Sequence, residues 1–477
     1  MDIASLGIIP VLLLGACVGS FLNVVIYRLP IGLSISKPRW SFCPTCEKRI
    51  PPQCNIPILG WLFLGGRCRD CKSPISTMYP VVEAATALLF VLIWDAIVVA
   101  KVIPGGGLMA NDWPMVVAAL FLFAGLLASS AMDLETYSIH IQIPVVAIVV
   151  AVICHAIRGL PAGGDQNATL LPPALCGIGL AMGVGWLVSL PFQKPAAPPN
   201  HDPTVPPEPT IRSDPAPVLI QPPWRFQPIP VLLLVTIVVG LSAWQALAPS
   251  VGFHIAIPPA GQRAIVGSGV LLLILILASL ESRESDVQIV DDLERERPLA
   301  RAMAMRELAS FLPALVAGAV ALAWLRYGGH VGHSWKTLLT VKAFQGEWSS
   351  HAAGGLHALA AGILAAAVGW AVRILGTLAF GKEAFGSGDI FIMASIGAVG
   401  GLWLVLVGFL VSSILALVGV LATSFKKTSR AIPFGPWLSL GALVSLWLLS
   451  PLTTFFSPLG WFVWAVISGQ PGHGFGD

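Results

Sequence analysis

Asp389 closes the run Gly386-Ser387-Gly388-Asp389, between an apolar stretch from Gly354 to Phe380 and another that begins at Ile390. An ionisable side chain where two membrane-length segments meet is costly, and for that reason is a functional candidate. The glycines before it, Gly386 and Gly388, are supporting residues that let backbone approach closely. Asp133, after the apolar run from Trp113 to Met132, is the best partner for it. Two carboxylates brought together do not both ionise readily, so one holds a proton while the other draws one from water. That is acid–base chemistry suited to peptide hydrolysis, with Asp133 and Asp389 as the catalytic pair. Glu135, two residues beyond Asp133, stands open as an alternative acid.

A second set is built from thiols. Cys43-Pro44-Thr45-Cys46 is followed within the same polar stretch by Cys68-Arg69-Asp70-Cys71. Paired thiolates at this spacing suit a tetrahedral, structural zinc ion, with Cys43, Cys46, Cys68 and Cys71 as ligands. The rival reading, two disulfides, needs an oxidising compartment. Cys54 falls between the pairs and is left a free thiol. Cys17, Cys154 and Cys176 lie in apolar runs and read as small buried hydrophobes.

The elements that must position these groups are membrane helices. Of 477 residues 56% are hydrophobic and only 11% charged, while soluble domains carry about a quarter charged residues. The expected fold is an all-α polytopic membrane protein with about 12 transmembrane helices and a small zinc-ribbon-like loop. A net charge of +3 gives no reason to expect a nucleic-acid partner. Basic residues dominate 28–78 (Arg28, Lys37, Arg39, Lys48, Arg49, Arg67, Arg69 and Lys72 against Glu47 and Asp70), which places that loop in the cytoplasm.

Four sections follow. Residues 1–78 hold a first helix, without a basic leader region and therefore read as retained, and the cysteine loop. In this helix Asn23 suits a bond to another helix. Residues 79–157 hold the helices that deliver Asp133. Glu83, in the first turn of one of them, is a helix cap or a supporting site residue, and Asp95 is read as structural. Residues 158–353 form an accessory section with runs at 170–192, 229–248, 264–280 and 309–325. A proline-rich linker at 194–230 separates the first two, and a charged, cytoplasmic amphipathic helix is expected at 281–307. Four crossings would return the chain to the side on which it left, and no catalytic group is expected from them. A polar loop at 326–353 bears histidines without ligand spacing. Residues 354–477 carry Asp389, a hairpin broken at Gly397 to Gly401, and Pro433-Phe434-Gly435-Pro436.

Taken together, Gly19-Ser20-Phe21-Leu22-Asn23-Val24-Val25-Ile26-Tyr27-Arg28-Leu29-Pro30, the four-cysteine loop, the entry from Tyr79 to Glu83, the Asp133 segment, the GSGD at Asp389 and the PFGP at Pro433 resemble the prepilin peptidases, or type IV leader peptidases. The pieces occur in that family's order over most of 6–157 and 354–449. The resemblance implies an aspartic endopeptidase of the bacterial inner membrane, acting at the cytoplasmic face on pilin-like or pseudopilin precursors, with Asp133 and Asp389 aligned to the catalytic aspartates. Partners would be those precursors, membrane lipid, and secretion or pilus assembly components. In bifunctional members, methylation of the new amino terminus by S-adenosylmethionine follows. The chain departs from the family's usual pattern at Ile139-His140-Ile141, at Phe391 and at Cys54. None of these touches the aspartate pair, so cleavage is better supported than methylation. A transporter or assembly scaffold, using the acids as ion ligands or caps, is the other class; related halves with interrupted helices would mark it.

Overall fold

In the computed structural model the residues described are 7–99, 113–159, 173–189, 267–271, 299–327, 347–423 and 433–446. They form helices joined by loops: α1 (Ile8–Arg28), α2 (Leu59–Phe63), α3 (Met78–Trp94), α4 (Trp113–Thr136), α5 (Gln142–Arg158), α6 (Pro173–Ser189), α7 (Ala300–Tyr327), α8 (Glu347–Phe380), α9 (Ser387–Thr423) and α10 (Gly435–Leu446). Six are long and apolar enough to cross a membrane, and three more are shorter apolar helices. The expected count of about 12 extends to segments outside the described residues, among them the run at 229–248. The linker at 194–230 and most of the charged 281–307 segment also lie outside them.

Small residues bring the helices together, as they must where lipid removes the hydrophobic drive between helices. Gly15 and Gly19 of α1 lie directly on Ala87 and Glu83 of α3, where an added Cβ would come within 2.7 Å of backbone. Cys17 points the other way and is exposed, while Cys154 and Cys176 are buried as expected. The central core joins Ile93 of α3, Leu122 and Phe123 of α4, Ile390, Met393 and Ile396 of α9, and Trp437 of α10.

The ends of the helices define two faces. Ala131 and Met132, late in α4, pack with Ile26 of α1 and Val82 of α3, so Asp133 lies at the same end as the cysteine loop. At the opposite end Gly159, just past α5, lies against Ser350 and His351 of α8, and Ala156 O bonds the His351 Nδ1 at 2.7 Å. The 158–353 section therefore leaves and re-enters the bundle at one face. Helix α8 begins at Glu347, earlier than the apolar run suggests, so His351 is helical rather than part of a loop. Helix α9 breaks at Gly401, whose φ of 80° and ψ of 174° fall outside helical values. Beyond the break Gly408 packs on Ala442 and Gly419 on Trp437, so the second limb runs back toward the end where α10 begins. The chain thus makes the expected hairpin.

Candidate active site and four-thiol centre

Asp133 and Asp389 come together from helices separated by more than half the chain. Asp133 sits near the end of α4, and its Oδ2 accepts the Gly435 backbone N–H at 3.1 Å. Gly435 is the first residue of α10, so the carboxylate caps an orphan amide of that helix. Asp389 lies in the first turn of α9, where the helix N-terminus favours negative charge. The backbone of Gly386 faces its carboxylate, and Asp133 and Glu383 are both within electrostatic reach of it. Two helix N-termini thus converge on two acids. Each aspartate is only 6% exposed. Asp389 Oδ1 is buried and has no hydrogen-bond partner among the described residues.

The glycines explain the close approach. A Cβ on Gly388 would stand 2.6 Å from Ile139 Cβ, and one on Gly435 would stand 2.8 Å from Asp133 Oδ2 and 3.3 Å from Ile139 Cδ1. Ile139, in the loop after α4, therefore separates the two turns that hold the acids. Phe385, Phe409 and Phe434 form a ring trio with centroids 5.6–6.0 Å apart. Two of these immediately precede Gly386 and Gly435, so packing the rings sets both glycine turns at once. One turn deeper, Ser130 donates to Ser439 at 2.9 Å, and Ser439 donates to Gly435 O, also at 2.9 Å. The Phe-Gly pairs, at 385–386 and 434–435, are the signal in the sequence that could have revealed this shared packing. The Glu135 side chain lies outside the described residues.

Asn23 and Glu83 are placed elsewhere. Asn23 Nδ2 donates to Tyr79 O at 3.1 Å, joining α1 to α3. Glu83 does not cap its own helix. Its Oε2 accepts the Ile58 N–H at 2.6 Å, where Ile58 holds a φ of 62°, a conformation uncommon for a β-branched residue. Glu83 thus ties the cysteine loop to the bundle, while Asn23 ties α1 to α3. Asp95, at the end of α3, is fully buried.

In that loop the sulfurs of Cys43, Cys46, Cys68 and Cys71 all lie within 4.8 Å of one another, and Cys43 Sγ is 3.9 Å from Cys71 Sγ. Tetrahedral zinc with bonds of about 2.3 Å needs sulfurs about 3.8 Å apart, so the donors fit. Each Cys pair forms the same turn. Glu47 N–H returns to Cys43 O and Lys72 N–H to Cys68 O, with Glu47 and Lys72 at φ of 57° and 58°. Hydrogen bonds from the Ser73 side chain and backbone hold the Cys71 thiol down to about 6. Burial raises the Cys43 thiol, but the Cys46 and Thr45 amides outweigh it and the net shift is downward. Cys46 is lowered by the Lys48 backbone yet raised further by burial and by the Cys71 and Cys43 sulfurs, reaching about 11. Crowded thiols resist full ionisation until a cation joins them. Cys54 is not part of the cluster.

These features define a helical membrane protein with a buried carboxylate pair and a four-thiol centre at one end of the bundle. Residues 13–97 match the family described as Bacterial Peptidase A24 N-terminal domain. Among curated proteins, the chain is 41% identical over 139 residues to a type 4 prepilin-like proteins leader peptide-processing enzyme of Escherichia coli O78:H11, covering 25% of this chain and 46% of that one. It is 57% identical over 77 residues to a prepilin leader peptidase/N-methyltransferase of Myxococcus xanthus (16% and 23%). A protein of the same name from Klebsiella pneumoniae is 43% identical over 128 residues (26% and 50%). The matched stretch spans about half the length of these relatives or less. No solved structure matches the chain. The resemblance to the prepilin peptidases is borne out by these likenesses. The family match takes in α1, the cysteine loop and α3, and stops short of both aspartates.

Proposed function

We propose that this protein is a membrane aspartic endopeptidase that removes the leader from pilin-like or pseudopilin precursors, with Asp133 and Asp389 as its catalytic residues. The observation that carries the reading is the convergence of the two acids on the Ile139, Gly388 and Gly435 contact. One oxygen of Asp133 is engaged by the Gly435 amide, leaving the other to take a proton from water as that water attacks the scissile carbonyl. Asp389, whose Oδ1 has no donor, holds the shared proton and passes it to the departing amine. The excess of basic residues in 28–78 supports a cytoplasmic position for this end of the bundle, and the relatives' names support a bacterial inner membrane, where a precursor's leader would meet the site.

The four thiols would hold a structural zinc ion, which when bound would fix the loop that Glu83 ties to α3. The relatives' names bring N-methylation of the new amino terminus into the proposal, with S-adenosylmethionine as donor. The transporter or scaffold reading is not favoured, because the named relatives are peptidases and the two acids converge within electrostatic reach of one another. The test is incubation of the purified protein with a pilin-like precursor, with and without methyl donor, and mass analysis of the product. Loss of the leader supports the peptidase reading, and an intact precursor overturns it. A gain of one methyl group, seen only with donor, reads the second activity separately.

A further inference from the structure

The accessory section is not expected to contribute to the site, yet one of its side chains, Glu307, grips an arginine of α8 that reaches the loop leading into Asp389. Arg373, near the end of α8, donates through Nε and Nη2 to Glu307 of α7, at 3.1 Å to Oε2 and 3.1 Å to Oε1 respectively. Its Nη1 donates to Phe385 O at 2.6 Å and also pairs with Glu383. Phe385 immediately precedes Gly386, and its ring packs in one trio with that of Phe434, the residue before Gly435. A single guanidinium thus joins a carboxylate from the 158–353 section to the backbone of the turn leading into Asp389. The planar fork of arginine can serve several acceptors at once, which a lysine ammonium cannot do with the same geometry. Helix α7 is seated for this by Phe311, whose ring lies 4.6 Å from that of Trp370 on α8. The Arg373 guanidinium also lies over Trp370, 5.8 Å from the ring centroid. The Thr377 hydroxyl receives the Ala384 N–H at 3.3 Å, a second tie between α8 and the same loop.

We propose that Glu307 is a positioning residue for the aspartate pair. Acting through Arg373, it holds the 381–386 loop so that Asp389 meets Asp133. The 158–353 section is then part of the support of the site rather than an appendage. This inference rests on the peptidase reading for its kinetic consequence, but not for its structural one.

The test uses the full-length protein in detergent micelles and steady-state cleavage of a pilin-like precursor. Glu307→Ala should lower kcat by about 10- to 100-fold, as small misplacements of reacting groups do, with KM unchanged. Arg373→Lys should do the same. Glu307→Gln, which keeps one acceptor oxygen, should fall between Glu307→Ala and wild type. Arg306→Ala, at the exposed neighbouring position, should leave kcat alone. If Glu307→Ala does not fold, as judged by elution, the Gln and Lys variants carry the comparison. Wild-type kcat in Glu307→Ala and Arg373→Lys, an equal loss in Arg306→Ala, or an effect confined to KM would each overturn the proposal. Trypsin cleavage after Lys382 provides a readout independent of activity. It should be several-fold faster in Glu307→Ala, and an unchanged rate would also count against the strap. Wild-type protein that is inert toward the precursor, with faster tryptic cleavage in the variant, would instead mean that the peptidase reading fails and the strap stands.

Discussion

The four-thiol centre and the aspartate pair occupy the same end of the bundle and are built in opposite ways. The thiols come from two short turns of one loop, each closed by its own backbone hydrogen bonds, and they need only an ion to complete them. The acids come from α4 and α9, are spaced by Ile139, and are held by α10, by three phenylalanine rings and by an arginine strapped to α7. A centre of the first kind is fixed by sequence spacing within one loop. One of the second kind is fixed by the packing of the whole bundle, so disturbances far along the chain reach it.

The sharpest way to break this comparison is at the acids themselves. Asp133→Asn or Asp389→Asn should lower precursor cleavage by about 1,000-fold or more, the upper range for loss of a general acid or base, with the protein still inserted in membranes. Full activity in either variant would remove that residue from the site. Next in size is Gly388→Ala, whose new methyl meets Ile139 Cβ at 2.6 Å. Cleavage should fall about 100-fold, and adding Ile139→Gly, which removes the Cβ that the new methyl meets, should recover a large part of it. A double variant no better than the single one would mean that Ile139 is not the obstacle. Smaller still is the effect of opening the thiol centre. Cys43→Ser or Cys68→Ser should release zinc, read by metal analysis, and expose 43–71 to protease, since a loop this short has little core of its own. Cleavage by the same protein should drop less than in Gly388→Ala. The least effect belongs to Cys54→Ser, which should leave zinc content unchanged because Cys54 stands outside the cluster.

The same contrast decides what could be read from the chain alone. CxxC pairs announce themselves because both ligands of each pair share one local turn. Membrane helices are equally plain, since apolar length is a local property, and the break at Gly401 was visible as a glycine cluster. The two aspartates could be paired by cost and by counting crossings. What held them could not be read, because Gly435, Ile139 and the three rings act across elements far apart in sequence. Glu83 is half legible for a related reason. The sequence reads it as a first-turn cap or a supporting site residue, but α3 begins at Met78, so Glu83 lies past the first turn and its partner is the Ile58 amide of another segment. Glu307 was hidden at the end of a stretch dense in charges of both signs, and only the docking of α7 on α8 singles it out.

Ile139 has a consequence of its own. Because one branched hydrocarbon side chain fills the space between the Gly388 and Gly435 turns, the gap between the acids is gauged by a residue with no chemistry of its own. Trimming it would let the turns settle toward each other and enlarging it would wedge them apart, with both carboxylates left untouched. The chain can therefore retune the spacing of its two acids by exchanging methyl groups at a single loop position, a far smaller evolutionary step than replacing either acid.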